Sequence, residues 1–572
     1  MNLDELKEAG EAAAWTTESA FLTLSDGYLL DNETPRDMYT RVSNSVAKYL
    51  KKPELAAKFF DYMWKNWLCL STPVAANAGT TRALPISCFG SAINDNLSDI
   101  FLSYHETAML AKNGGGTSKY WGDLRQRGSD VGKNGKSDGI IPWLKTEEST
   151  IQSVSQGGVR RGSSAQYLPI ESNDIEEFID IRRPSGDINR RCQASSFHHA
   201  VCISDDFMNK CKDGDAKSRQ LWEKILTARI ETGEPYIFFR DTVNRNKPEA
   251  MSGRLIKASN LCSEICLPSD ADHTFVCCLS SLNLARYDEW KDTDLIQTAI
   301  WFLDGIMSEF IDRAKSILGL EKAVRFAEKS RALGLGVLGW HTLLQSKMIP
   351  FESFKAMQLN NEIFSLIDVE SNKATRELAV EYGEPEWCKG FGVRNLTRLA
   401  VAPTYSNSII SGGMSQGIEP IAANSFSQKT SKGTFINKNK ALKALLEAKG
   451  KDSPEVWDNI TVNDGSVSKL SFLSDNEKAV FSTAKEINQF SIISQAAQRQ
   501  KYIDQSQSLN LFFANPNTLA EVDRKKLGKY IHKVHMSAWE LGVKTLYYCR
   551  SSSILTGDSV YREESDCKAC EG

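Results

Sequence analysis

The chain has no apolar run of membrane-spanning length and no basic excess. Its net charge is −3 and its pI near 6.3, so neither a membrane nor nucleic acid is an expected partner. Residues 1–15 lack the basic start and apolar stretch of a signal peptide; Asp4, Glu5, Glu8 and Glu11 follow a helical pattern instead. Histidine is scarce, with 7 in 572 residues. His532 and His535 stand one helical turn apart but have no further ligand candidates, so they are expected at the surface and no metal site is predicted. The 13 cysteines are odd in number and scattered without a secretory leader, which predicts a reducing, cytoplasmic compartment and thiols used singly. Hydrophobic residues at 41% and charged residues at 25% are globular values, in a chain long for one ordinary domain.

What is present centres on Asn260-Leu261-Cys262-Ser263-Glu264-Ile265-Cys266-Leu267-Pro268. An amide, a thiol and a carboxylate occupy alternate positions, and an extended segment would turn all three to one side. A group that only hydrogen-bonds, one that gives up a single electron and one that takes a proton suit radical chemistry on a hydroxylated substrate. Three residues alone also fit a loop with an inert buried cysteine.

Helices are expected at about Pro35–Leu50 and Pro53–Leu68, each with proline in its first turn. A buried strand is expected around Ala83–Gly90, and Asn94–Ile100 opens a helix on Asn, Asp and Ser caps, Asp95 among them. Ala216–Thr232 reads as a helix and Pro235–Arg240 as an aromatic strand. In Thr274–Leu284 the adjacent Cys277 and Cys278 fall on opposite faces of a strand. The GxGxxG spacing in Arg331–Gly339 follows a polar helical pattern and has no downstream acid, so it reads as a small-residue strand and not a dinucleotide fingerprint. Leu399–Ser408 is a buried strand ending in hydroxyl and amide residues, a fitting phosphate cradle. Residues 429–469 read as surface helix and loop, Val543–Cys549 as a buried strand, and the Ser-rich tail from Ser551 as mobile, its Cys-x-x-Cys a redox shuttle rather than half a zinc site.

Cys88, Cys262, Cys277, Tyr547-Tyr548 and Cys567-Lys568-Ala569-Cys570 stand in the order found in the large, catalytic subunit of class I ribonucleotide reductases, which the chain resembles from about Leu22 to its C-terminus. The resemblance implies an N-terminal helical region at 1–70, a ten-stranded α/β barrel with a central finger loop at 71–550 and a redox-active tail at 551–572. It implies reduction of ribonucleoside diphosphates by a Cys262 thiyl radical, with Asn260 orienting the ribose hydroxyls and Glu264 accepting a proton. Cys88 and Cys277 would supply two electrons, motif register selecting Cys277 over Cys278, and Cys567 or Cys570 would reopen their disulfide. Tyr547 and Tyr548 would relay the radical. Thr72, Ser87 and the residues Thr404, Tyr405, Ser406, Asn407 and Ser408 would hold the substrate. Asp95, Arg125, Gln156 and Arg160 would bind a nucleoside triphosphate effector and carry its message.

The implied partners are a metal-containing, radical-generating small subunit, a second copy of the chain, and thioredoxin or glutaredoxin; no cofactor is expected on this chain. Met1–Glu33 is too short for the N-terminal ATP cone of many relatives. Two rivals remain: a cobalamin-dependent reductase, which would not need the tyrosine pair, and a silent regulatory paralogue, which would not need the redox cysteines.

Overall fold

The computed structural model describes residues 2–133, 135–154, 162–430, 433–514 and 519–551. The N-terminal helical layer is built on strong local signals. In helix Pro35–Tyr49, Thr34 and Asp37 form a reciprocal capping box and Pro35 opens the first turn. The next expected helix is shorter than its periodicity implies. It runs Ala56–Trp64 after a tight turn at Pro53–Leu55, because Asn66 adopts φ +59° and anchors its amide on the Ser411 carbonyl at 2.9 Å.

The chain then enters a curled sheet. Strands β1 (Leu68–Leu70), β2 (Cys88–Ala92), β3 (Gly116–Tyr120), β4 (Ser164–Pro169), β5 (Phe197–Ile203), β6 (Tyr236–Phe239), β7 (Phe275–Asn283) and β8 (Leu333–Leu338) precede a hairpin of β9 (Ser425–Thr430) and β10 (Gly433–Lys438). Strands β11 (Leu511–Phe513), β12 (Thr545–Leu546) and β13 (Cys549–Ser551) complete the order. β2 to β6 are parallel neighbours with helical crossovers, buried along their whole length although β3 to β5 carry polar residues such as Lys119, Gln166 and His199. A second parallel run starts at β7 and β8 and lies antiparallel to the first through the β2–β7 pairing. Beyond β8 the wall continues as single bridges, Leu335 to Leu399 and Val401 to Gln507, in place of regular strands. The result is a curled, half-barrel sheet of the expected α/β class, with nine strands among the described residues rather than ten regular ones.

Residues 429–469 are not simply surface. Leu442, Leu446, Trp457 and Ile460 come from two short helices, Lys440–Ala448 and Pro454–Val462, and close a satellite core with Val467 and Phe481.

Candidate active site

The segment 258–268 is buried throughout and threads between the two parallel runs. It is turned, not extended as its alternation predicts: Ser263 has φ +69° and the Ile265 N–H bonds back to Asn260 Oδ1 at 3.2 Å. That turn brings Asn260 and Glu264 into direct contact, Nδ2 donating to Oε1 at 2.9 Å. The amide also lies 3.7 Å from Cys88 Sγ.

A polar run within the core, Asp504-Gln505-Ser506-Gln507-Ser508, fixes the loop. Ser508 Oγ lies 2.6 Å from the Cys262 carbonyl and 3.0 Å from Glu264 Oε2. Thr545 Oγ1 donates to the Ser263 carbonyl at 2.7 Å. Gln505 accepts from Cys266 N–H at 3.1 Å and donates to Cys277 Sγ at 3.4 Å and to the Leu333 carbonyl at 2.9 Å. Burial pushes the Cys277 thiol well above its ordinary pKa and the Gln505 amide only partly offsets this, so it rests protonated. Cys88 and Cys277 are opposed in register on β2 and β7.

Tyr547 and Tyr548 lie against each other beside the loop, ring centroids 4.3 Å apart and planes tilted by 51°. Tyr236 of β6, which sequence reading passed over as an aromatic strand residue, joins both, at 4.7 Å from Tyr547 and 5.0 Å from Tyr548. Burial raises the Tyr547 pKa well above the usual value, and the neighbouring Cys262, Tyr236 and Tyr548 add to this. Proton loss without electron loss is therefore disfavoured at this phenol. The strand is pinned by buried Arg229, whose guanidinium donates to the Tyr547 carbonyl at 3.0 Å and also bonds the Pro235 carbonyl and, at 3.2 Å, His535 Nε2. His535 is thus a core residue, contrary to the surface placement expected, because helix Glu521–Glu540 turns it inward onto that arginine. His532 is exposed, as expected, and accepts from Trp222 Nε1 at 3.0 Å. Among the described residues no cluster of three metal-ligating side chains occurs.

Thr72 and Ser87 are buried, Thr72 against the Tyr28 hydroxyl at 3.0 Å. The expected strand through Ser408 stops at the Val401 bridge; Thr404 takes φ +56° and caps a short helix, Tyr405–Ile410. Thr404 Oγ1 accepts from Gly417 N–H at 2.8 Å, Ser406 is buried, and Ser408 Oγ donates to the Tyr405 carbonyl at 2.7 Å. Asn407 Oδ1 is buried and has no hydrogen-bond partner among the described residues. Asp95 does not cap the following helix; Asn96 does, accepting from Asp99 N–H. Asp95 instead pairs with Arg125 at 2.9 Å, so two residues separated by thirty positions meet at one partly exposed site. Gln156, Arg160, Cys567 and Cys570 lie outside the described residues.

These thiols, phenols and carboxylate define a barrel enzyme built for redox chemistry through its own side chains. The ribonucleotide reductase barrel domain model matches residues 86–217, 211–390 and 386–549, and the all-alpha domain model of the same enzymes matches 14–83. A Frog virus 3 protein named for a ribonucleoside-diphosphate reductase large subunit is 41% identical, covering 91% of this chain and 93% of its own. The corresponding large subunit of Invertebrate iridescent virus 3 is 35% identical over 96% of this chain and 97% of its own. The class Id ribonucleotide reductase alpha subunit of Actinobacillus ureae superposes with TM-score 0.86 and 42% identity, covering 94% of this chain and 97% of that one. The chain belongs to the class I ribonucleotide reductases, as a large subunit. Its function is that of the catalytic subunit, which makes deoxyribonucleotides from ribonucleotides.

Proposed function

We propose that Cys262 is the radical-bearing residue, fed by Tyr548 and then Tyr547 from a small subunit that generates the radical. The observation that carries this reading is the contiguity of the two adjoining phenols with Cys262, beside Asn260 and Glu264 in contact with each other. The Cys262 thiyl takes the 3′ hydrogen of a ribonucleoside diphosphate while Glu264 accepts the 3′-hydroxyl proton and Asn260 orients the ribose hydroxyls. The 2′-hydroxyl leaves as water, Cys88 and Cys277 give two electrons and close to a disulfide, and Cys262 returns the 3′ hydrogen. Cys567 and Cys570 then exchange with that disulfide and are themselves reduced by thioredoxin or glutaredoxin.

Thr72, Ser87 and the backbone of Thr404, Tyr405, Ser406, Asn407 and Ser408 receive the substrate phosphates, the first turn of a helix offering N–H groups that have no intrahelical acceptor. Asp95 and Arg125 bind the triphosphate effector, and the loop carrying Gln156 and Arg160 transmits its identity to the substrate base. Leu97, Phe101 and Leu102, exposed on the helix that follows Asp95, support a homodimer built beside this site.

The test is an assay of the chain with and without a candidate small subunit, in parent and Cys262→Ser forms. The variant is expected to fold and bind nucleotide yet make no deoxyribonucleotide. Appreciable turnover by it would overturn the assignment.

A further inference from the structure

One buried ionic cluster has no task in the chemistry above. Glu234, 2% exposed, lies between helix Ala216–Thr232 and β6, at the outer side of the tyrosine cluster. His198 Nδ1 stands 2.6 Å from its Oε1, while His199 offers its backbone N–H and its Nδ1 to Oε2, both at 3.0 Å. Arg182 stands 4.0 Å away. Burial alone would raise the Glu234 pKa; the facing His198, His199 and Arg182 overcome it and hold the carboxyl below the usual range, as an anion.

An anion at Glu234 decides where the proton sits, because His198 Nδ1 must carry an N–H to donate to it. The Tyr548 hydroxyl lies 3.4 Å from that same nitrogen. With Nδ1–H already aimed at the carboxylate, the phenol oxygen takes a share of the N–H and cannot donate to it. The His198 ring also meets Tyr548 edge-on at 6.1 Å and lies nearly parallel to Tyr236 at 6.1 Å and 18°. The Arg550 guanidinium covers the Tyr548 ring at 4.4 Å. One imidazole, locked by a buried charge that packing alone does not require, thus touches two of the three clustered tyrosines.

We propose that His198, held by Glu234, is a positioning residue of the radical relay: it fixes the Tyr548 oxygen and supplies the partial hydrogen bond that sets how readily Tyr548 is oxidised. This rests on the reading of Tyr547 and Tyr548 as the relay. In that relay Tyr548 loses one electron and its phenolic proton to the one-electron radical oxidant of the small subunit, and regains both from Tyr547. His198 gains and loses nothing in the exchange. A hydrogen bond to the phenol oxygen changes the relative energy of phenol and phenoxyl, so its removal alters the rate of relay without touching substrate.

The experiment uses the full chain with its small subunit and compares His198→Gln and Glu234→Gln with Tyr548→Phe. Both network variants are expected to lower kcat by about tenfold, the equivalent of one hydrogen bond, with KM and effector response unchanged. In a second measurement, 3-aminotyrosine is placed at position 548, and its trapped radical should show an altered paramagnetic resonance spectrum when His198→Gln is added. Unchanged kcat and spectrum overturn the proposal. So does a loss of activity that follows thermal stability and KM while the spectrum stays fixed. If His198→Gln does not fold, Glu234→Gln, which keeps the volume and an acceptor carbonyl, carries the same reading. Turnover retained by Tyr548→Phe overturns the relay itself, whereas a dead Tyr548→Phe beside silent network variants overturns this inference alone.

Discussion

Cys88 and Cys277 face each other across β2 and β7, residue directly against residue in an antiparallel ladder. Residues so opposed have Cα atoms about 4.5–5.5 Å apart, inside the range a disulfide bridges without moving the backbone. Burial raises both thiols; beyond it Cys278 is perturbed by Cys88, Asp304, Glu309 and Arg331, and Cys277 by Gln505, Cys88, Cys278 and Glu264. That ladder register supports the proposed choice of Cys277 where two adjacent cysteines leave the sequence ambiguous. After one turnover without external reductant, thiol counting should find two barrel thiols lost in the parent and in Cys278→Ala. Cys277→Ser should form no such disulfide and sustain no further turnover; the opposite pattern would reassign the reducing thiol.

Asn260 Nδ2 and Ser508 Oγ stand 2.9 and 3.0 Å from the two carboxylate oxygens of Glu264. Glu264→Gln keeps the shape and removes the proton acceptor. Its kcat should fall by about 10²–10⁴, the range for loss of a general base, while KM stays near the parent value. Steady-state kinetics with saturating effector decide this, and a parent-like kcat would remove Glu264 from the proton transfer.

Much of this architecture was legible where the signal is local. Helix Ala216–Thr232 matches its expected bounds because Asp215 caps its start and Gly233, at φ +81°, ends it. The small-residue strand at Leu333–Leu338 was legible from composition alone. What stayed hidden depends on partners distant in sequence. The meeting of Tyr236 with Tyr547 joins strands some three hundred residues apart, and nothing in Pro235–Arg240 marks it. The inward turn of His535 depends on Arg229, and the satellite core depends on apolar residues spread over two short helices, each too brief for a clear period. One missed signal was present: polar Gln505, Ser506, Gln507 and Ser508 follow one another in a segment that is fully buried, and such a run needs partners.

Gly334 explains why the strand beside Cys277 is built of small residues. A Cβ there would come 2.5 Å from Leu279 Cδ2, 3.0 Å from Ala400 Cβ and 3.1 Å from Cys277 Sγ. Gly334→Ala should cost about 1–3 kcal/mol through overpacking. It should also slow reduction of the barrel disulfide by displacing the sulfur. A thermal melt and a stopped-flow reduction measurement check the two effects, and a parent-like melting temperature would mean that Leu279 yields freely.

Two fully buried histidines predict how the enzyme responds to acid. Burial lowers the pKa of His341 to about 3; burial followed by the Arg229 charge does the same to His535, also to about 3. An unfolded imidazole titrates near 6.5. Between those values the unfolded chain binds protons that the folded chain refuses, so stability rises with pH across this window and is lost as pH falls from about 6.5 towards 3. At pH 5 each histidine should cost about 2 kcal/mol relative to pH 7, the difference of about 1.5 units at 1.36 kcal/mol per unit. His535→Gln can still donate to the Ile531 carbonyl and accept from Arg229, the two bonds His535 makes, but it has no proton to gain. Its melting temperature should therefore fall less between pH 7 and pH 5 than that of the parent, with His341→Gln giving a second, additive reduction. Carboxylates that titrate in the same range are common to all three proteins and cancel in the comparison. Equal slopes in parent and both variants would show that neither imidazole is held neutral by the fold.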